Sequence, residues 1–257
     1  MHVDTIIALG PSLLLLAAAI TLFAGFVKGA TGFGMPMLMI SGLGSFLPPE
    51  LALAGLILPA LAANLWQAFR QGWAAAAASA REHWRFLAVL LTCIAIGAQF
   101  VTALPGATLF LVIGVPVTVF AGLQLAGWRP RIDRGRRRPV EFAAGTLAGL
   151  VGGLSGVWGP PTVLYLTAMD TPKIEHVRVQ GVVYATGAVM LTLAHLQSGV
   201  LNWTSARLSL ALLVPAMAGM ALGFMVHDRL DQKKFRRLTL VVLTLAGLNL
   251  VRRGLTG

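Results

Sequence analysis

Apolar residues fill most of the chain in long runs that short polar stretches interrupt. The runs 12–27, 86–104 and 238–250 contain no charged residue. A run of about 20 apolar residues can cross the hydrocarbon core of a bilayer as a helix. The pattern therefore predicts an all-α polytopic membrane protein with about ten hydrophobic segments. We place these segments at 5–28, 36–47, 49–69, 85–104, 106–127, 140–157, 160–170, 173–197, 205–227 and 234–252.

Two of these segments are too short to span a bilayer. A helix over 36–47 is about 18 Å long, and one over 160–170 is shorter still, whereas the hydrocarbon core is about 30 Å thick. We expect each short segment to return from near mid-membrane as the second arm of a hairpin. The first arm of the first hairpin is long, so we expect it to be tilted or broken near Pro11.

Composition supports this class. The chain is 57% hydrophobic and 11% charged, whereas soluble domains are nearer 45–50% apolar, with roughly a quarter of their residues charged. The net charge of +11 does not indicate nucleic acid binding, because the basic residues cluster between apolar segments. The single cysteine, Cys93, excludes an intrachain disulfide.

The basic clusters predict an orientation. Six arginines lie within 129–139, and further basic residues lie at 70–85, 173–178 and 229–237. Cytoplasmic loops of membrane proteins carry such an excess of Lys and Arg. With these loops inside, the first hairpin enters from the outside and the second from the inside. We therefore divide the chain into a first membrane repeat (1–128), a basic cytoplasmic linker (129–139) and a second, inverted membrane repeat (140–257).

A glycine-rich stretch occurs twice in the chain. Residues 24–36 read AGFVKGATGFGMP and residues 148–160 read AGLVGGLSGVWGP. The longer ranges 24–50 and 148–174 align without gaps, and Thr31 and Ser155 keep a hydroxyl in register. The repeat predicts a 5 + 5 inverted arrangement with two broken-helix hairpins. That is the pattern of secondary transporters, which bind substrate near the bilayer midplane.

The residue types of the hairpin tips favour an anion site. Glycine permits the turn where the helix breaks, and proline suits the first position of the returning helix. The N-terminus of that helix attracts negative charge. Lys28 adds an ionisable group inside the membrane, which indicates function, and its aligned counterpart is Gly152. The predicted substrate-binding residues are Lys28, Thr31, Gly32, Gly34, Pro36, Ser155, Gly156, Trp158, Gly159 and Pro160 at the tips, with Asn64, Gln180 and Tyr184 on the helices that follow.

Structural roles remain open for several of these residues. Lys28 could neutralise the carbonyl end of its own helix, and Trp158 could be a gate, a site wall or a packing residue. Asn64, Gln180 and Tyr184 could bond helix to helix. The outer glycines at 25, 29, 145, 149 and 153 have the small-xxx-small spacing of helix packing. No acidic residue lies in the middle of a span, which favours a uniporter or co-transport on the titratable group of the substrate.

The doubled hairpins GFVKGATGFGMP and GLVGGLSGVWGPP, with the basic linker between them, resemble the sulfite exporter TauE/SafE family. The resemblance implies a transporter, not an enzyme, in the bacterial inner membrane. It would export small organosulfur oxyanions such as sulfite or sulfonates. The expected partners are a small anionic substrate and the lipid bilayer, with a homodimer left open. No nucleic acid partner, cofactor or metal is expected.

Two other functions fit parts of the sequence. A passive anion channel could use the same fold. The string GLSG at 153–156 and His195 resemble the serine–histidine pair of rhomboid intramembrane proteases, with Ser155 as the nucleophile. The repeat argues against a protease, because Thr31 takes the equivalent position with no second histidine. We expect His195 near the outer end of its helix, away from Ser155.

Overall fold

The computed structural model describes residues 10–128, 137–169, 173–226 and 232–256. Within those ranges every regular element is an α-helix, which confirms the all-α prediction. The eleven helices are α1 (Gly10–Thr31), α2 (Met35–Leu43), α3 (Pro49–Phe69), α4 (Trp73–Glu82), α5 (Trp84–Gln99), α6 (Gly106–Leu125), α7 (Arg137–Ser155), α8 (Gly159–Ala168), α9 (Lys173–Gln197), α10 (Trp203–Val226) and α11 (Gln232–Thr256).

Five helices of the described chain are long and apolar enough to cross a membrane. They are α1, α3, α6, the Arg178–Gln197 part of α9, and α10. The apolar helix α5 is shorter than these spans. The chain is therefore a multi-pass membrane protein.

Helix α4 corrects the sequence analysis, which placed a loop between the segments ending at 69 and beginning at 85. Its sequence is WAAAAASARE, and alanine has the strongest helix propensity of the residues. A search for spans misses such a helix because it is short and has only moderate hydropathy. The N-terminal part of the chain is unbroken as far as it is described, because α1 runs continuously from Gly10 with Pro11 in its first turn. The predicted residues 5–9 lie outside the described residues.

Glycines bring α1 and α10 into close contact. A Cβ atom added at Gly25 would collide with the carbonyl oxygen of Ala216, and one at Gly29 would collide with that of Met220. Only glycine lets two helix backbones approach this closely. The packing role predicted for these two glycines is confirmed.

A second close crossing joins α5 and α7. A Cβ atom added at Gly149 would lie 2.6 Å from the carbonyl oxygen of Leu90, and one at Gly153 would lie 2.5 Å from that of Ile94. Real Cβ atoms do not come so near. These glycines of the second repeat are packing residues too.

The two hairpins lie against a central pair of helices. Helices α1 and α2 form the first hairpin, and α7 and α8 form the second; in each hairpin the two arms contact one another. Helix α3 contacts α9 and α10, and α9 also contacts α5 and α8. Side chains of α3 and α9 therefore face the region where the tips of the two hairpins end.

Candidate functional site

The first helix of each hairpin ends with the same local structure. Gly32 and Gly156 have positive φ angles of 81° and 71°, which only glycine adopts readily. The backbone N–H of Gly32 donates to the carbonyl of Lys28, and that of Gly156 donates to the carbonyl of Gly152, both at 2.7 Å. Each repeat thus ends its first helix with a left-handed glycine that satisfies a terminal carbonyl group.

The two tip hydroxyls bond to the backbone of their own hairpins. Thr31 Oγ1 donates to the carbonyl of Val27 at 2.8 Å, and Ser155 Oγ donates to that of Val151 at 2.6 Å. Ser155 Oγ also accepts the N–H of Val157 at 3.1 Å. These bonds shape the tips. That the hydroxyls also bind substrate stays a prediction.

A cavity lies between the two tips. It is small, with a volume of about 20 Å³, which is room for about one water molecule. Much of its wall is apolar, with Phe33, Met37, Phe120, Val157 and Val163 among its residues. The sequence-predicted site residues that line it are Lys28, Gly34, Pro36, Asn64, Gly156, Trp158, Gly159 and Tyr184.

The other predicted residues lie next to this cavity or apart from it. Gly32 and the two tip hydroxyls form the turns beside it. Gln180 is buried on α9, one helical turn from Tyr184, and does not line the cavity. Pro160 is in the first turn of α8, and its side chain lies outside the described residues.

Lys28 is the polar centre of the cavity. Its side chain is 1% exposed. The ammonium group donates to Asn64 Oδ1 at 2.6 Å and to Gln67 Oε1 at 2.8 Å, and it lies 5.5 Å from the ring centroid of Tyr184. Among the described residues that line the cavity, Lys28 is the only charged side chain.

Gln67 is a site residue that the sequence analysis missed. It lies three positions after Asn64 on α3, so both amides share one helix face and reach the same ammonium group. The signal was present, because two carboxamides at this spacing follow a hairpin that contains a lysine. An ammonium group only donates hydrogen bonds, so both amides must turn their oxygens toward it and their NH₂ groups away.

Two buried polar atoms beside Lys28 have no partner. They are Nε2 of Gln67, which is a donor, and the hydroxyl of Tyr184. A Cβ atom added at Gly32 would lie 3.8 Å from this Gln67 nitrogen, so the nitrogen faces the first tip. A buried unpaired donor costs about 1–3 kcal/mol. Tyr184 lines the cavity, whereas Gln67 borders it through its bond to Lys28.

Trp158 makes the two tips unequal. It is 2% exposed, and a Cβ atom added at Gly152 would lie 3.0 Å from it. The aligned pairs are Lys28 with Gly152, and Gly34 with Trp158. The first tip thus has a long side chain, Lys28, at the earlier position and glycine at the later one. The second tip has glycine at the earlier position and the large side chain of Trp158 at the later one. Trp158 is both a packing residue and part of the cavity wall.

His195 corrects a prediction, because it does not lie apart from the serine segment. Its Nε2 donates to the carbonyl of Gly153 at 2.9 Å, and its Nδ1 lies 3.1 Å from Ser198 Oγ. The carbonyl of Gly153 is among the last four of α7, which lack partners within the helix. Both ring nitrogens are thus engaged, and neither bonds to Ser155, whose hydroxyl proton goes to the backbone.

Comparison with known proteins identifies the family. The family model described as sulfite exporter TauE/SafE matches residues 17–250, which include both hairpin tips. Neither the curated proteins nor the solved structures contain a match to the chain. Because the family model covers nearly the whole sequence, this chain belongs to the sulfite exporter TauE/SafE family of membrane transporters.

Proposed function

We propose that this protein exports a small organosulfur oxyanion, such as sulfite or a sulfonate, and binds it in the cavity between the hairpin tips. The observation that carries the proposal is the buried Lys28, held by two neutral amide oxygens. Amides orient the ammonium group without cancelling its charge, whereas a carboxylate would cancel it. The cavity consequently retains a positive charge for an anion to neutralise.

The unpaired donors suit an oxyanion. Sulfite and sulfonates present several oxygen acceptors around one sulfur atom. The Nε2 of Gln67 and the hydroxyl of Tyr184 are buried donors without partners, and an anionic oxygen would satisfy both while Lys28 balances the charge. The apolar wall beside them suits the small organic group of a sulfonate.

We infer that the two halves form an inverted repeat that works by alternating access. Two glycines on α1, at 25 and 29, align with two on α7, at 149 and 153. The first pair faces carbonyls one helical turn apart on α10, and the second pair faces carbonyls one helical turn apart on α5. Helices α10 and α5 are the fourth membrane segments of the second half and the first half, respectively. Helix α1 therefore crosses α10 as α7 crosses α5, which supports a two-fold relation between the halves. The proposal includes an inner-membrane location with the basic loops in the cytoplasm.

A flux measurement with a charge-matched control tests the proposal. We expect proteoliposomes to show saturable flux of radiolabelled sulfite or methanesulfonate. Lys28→Met keeps the length of the side chain and removes its charge, so flux should fall to the level of empty liposomes. Arg207→Met removes a charge from an exposed position on α10 and should leave the flux intact.

Three outcomes separate the possible errors. Unchanged flux in a folded Lys28→Met protein would remove Lys28 from the site and keep the transporter. Flux that rises linearly with anion concentration would instead favour the passive channel. No flux of either anion from folded wild-type protein would contradict the substrate class.

A further inference from the structure

A second buried polar cluster lies outside the cavity. It joins Glu141 on α7, Tyr165 on α8 and His83 between α4 and α5. These residues are 1%, 2% and 4% exposed, respectively. The proposed anion site uses none of them.

The three side chains form a chain of hydrogen bonds. Tyr165 OH donates to Glu141 Oε1 at 3.1 Å, and Arg137 Nε donates to the same oxygen at 2.8 Å. Nδ1 of His83 lies 3.0 Å from Tyr165 OH. A tyrosine hydroxyl has one proton. Because Tyr165 uses that proton to donate to Glu141, the Nδ1–H of His83 donates to the phenol oxygen. Phe86 stacks on the Tyr165 ring, with centroids 4.7 Å apart, and fixes its position.

Both ends of this chain are buried acceptors without donors. Glu141 Oε2 and His83 Nε2 have no hydrogen-bond partner. With Nδ1 protonated, the Nε2 of a neutral imidazole carries a lone pair. Burial is the main cause that lowers the pKa of His83, which favours this neutral form. Each of these two acceptor atoms, one at either end of the hydrogen-bonded series, can take up a proton.

The charged groups around the cluster lie on α4, α7 and α9. A ring nitrogen of His83 and one carboxylate oxygen each of Glu82 and Glu175 lie within 4.8 Å of one another. Arg137 and Arg178 oppose these carboxylates and act to lower the pKa of His83, whereas Glu82 and Glu141 act to raise it. Arg178 is held by Ser79 Oγ at 2.8 Å. The nearby charges are therefore mixed in sign, and one added proton can be accommodated.

The cluster is joined to the central cavity through α8. Gly159 at the start of α8 and Trp158 before it line the cavity, and Tyr165 lies about two turns along the same helix. Ionised Glu141 accepts from both Tyr165 and Arg137, and so ties α8 to α7. A protonated carboxyl group is a weaker acceptor, so protonation loosens this tie at the base of the second hairpin.

We propose that Glu141, Tyr165 and His83 form a proton-binding site. Protonation of this site weakens the contact between α8 and α7, and in this way proton binding is coupled to anion movement. The step is the addition of one proton to the Glu141 carboxylate, which becomes a neutral carboxyl group; no electron moves. The sequence favours transport without coupling through the protein, because acidic residues such as Glu141 lie near the ends of its segments. The fold buries Glu141 nevertheless. The coupling rests on the proposed anion transport, whereas the proton site rests on the cluster alone.

Infrared difference spectroscopy tests the proton site without any anion. A pH step on lipid-reconstituted protein should produce a carbonyl band of a protonated carboxyl group. Glu141→Gln should abolish the band, and Tyr165→Phe should shift it, because the phenol no longer donates to the group. Glu50→Gln, at the first turn of α3, is the matched control and should leave the band unchanged. Survival of the band in Glu141→Gln, or its absence from the wild type, overturns the site.

Methanesulfonate flux tests the coupling, because this anion stays ionised and pH then acts only on the protein. A gradient of one pH unit supports about tenfold accumulation of the anion per coupled proton. Glu141→Gln should lose this accumulation and still equilibrate the anion, whereas Lys28→Met should stop both. Wild-type flux that ignores the gradient overturns the coupling. Absence of all methanesulfonate flux counts against the proposed function, and the infrared band still decides the proton site.

Discussion

Lys28 shows how a single buried charge can be both stable and available. Removing an ammonium group from water is costly unless polar partners replace the water. Two amide oxygens and the face of Tyr184 supply those partners. None of the three carries a charge, so none of them cancels a positive charge on Lys28. This environment favours attraction of an anion over a closed ion pair.

Gln67→Glu should destroy anion binding while retaining the size of the side chain. The new carboxylate would pair with Lys28, cancel its charge and repel the anion. Replacing one favourable contact with a repulsive one should weaken binding about 100-fold, or roughly 3 kcal/mol. Isothermal titration calorimetry of purified protein with sulfite would measure this change in Kd.

The control for this experiment is Gln99→Glu, which makes the same chemical change at an exposed position at the end of α5. It should bind sulfite like the wild type. If Gln67→Glu also bound with wild-type affinity, the anion would not sit beside the ammonium group of Lys28.

For single residues, the sequence predicted which side chains carry functional groups of the site better than it predicted which of these side chains touch one another. Lys28 and Asn64 were predicted separately, the first from its charge in an apolar run and the second as a polar group on the next helix. Their direct bond depends on how α1 lies against α3, which the sequence pattern does not determine. Gln67 was missed because a polar residue near a helix end is ordinary, and only the fold brings it to Lys28. Glu141 also lies near the end of a predicted segment, and only the fold shows that it is buried.

At the scale of elements, the first helix of each hairpin ends at a left-handed glycine that follows a capping hydroxyl. The pattern predicted the breaks in the helices, because glycine and proline act locally. It did not predict α4, since a short alanine-rich helix has no amphipathic or membrane-spanning signature. The helix bounds otherwise follow the predicted segments closely where residues are described. Local chemistry therefore determines where these helices end more than where they pack.

Alanine substitution at the tips tests this view of the hairpins. Gly32→Ala and Gly156→Ala each place a Cβ atom on a left-handed residue, which costs about 1 kcal/mol. At Gly32 the nearest atom to the new Cβ is 3.8 Å away, whereas at Gly156 Leu56 Cδ1 lies at 2.9 Å and must shift. We expect both variants to lower Tm, and Gly156→Ala to lower it more, in thermal unfolding followed by circular dichroism.

Gly122→Ala provides the reference for these tip variants. Gly122 lies within helix α6, and an added Cβ atom there has no neighbour within 4 Å. Alanine is favoured over glycine inside a helix by about 1 kcal/mol, so this variant should melt at or above the wild-type temperature. A tip variant that melted in the same way would show that the tip does not hold its glycine at positive φ.

At the scale of the whole molecule, the tips of the two hairpins build a site that is not symmetric. The close crossing of α1 with α10 resembles that of α7 with α5, yet only the first tip carries a lysine. Trp158 fills the space beside Gly152, the position that aligns with Lys28. We expect the substrate to bind nearer the first tip, with the second tip and α8 as the moving wall.

The proposed opposite orientation of the two halves has a direct consequence for accessibility. The positive-inside rule places the end of the first hairpin and the start of α10 outside, and α4 inside. Single cysteines in a Cys93→Ser background test this at two exposed positions, Ser45 and Ala78, and at the half-buried Thr204. We expect a membrane-impermeant maleimide to label Ser45→Cys and Thr204→Cys in intact cells or spheroplasts, and Ala78→Cys only after lysis. Labelling of all three from one side would contradict the inverted topology, and with it the opposed hairpins on which alternating access depends.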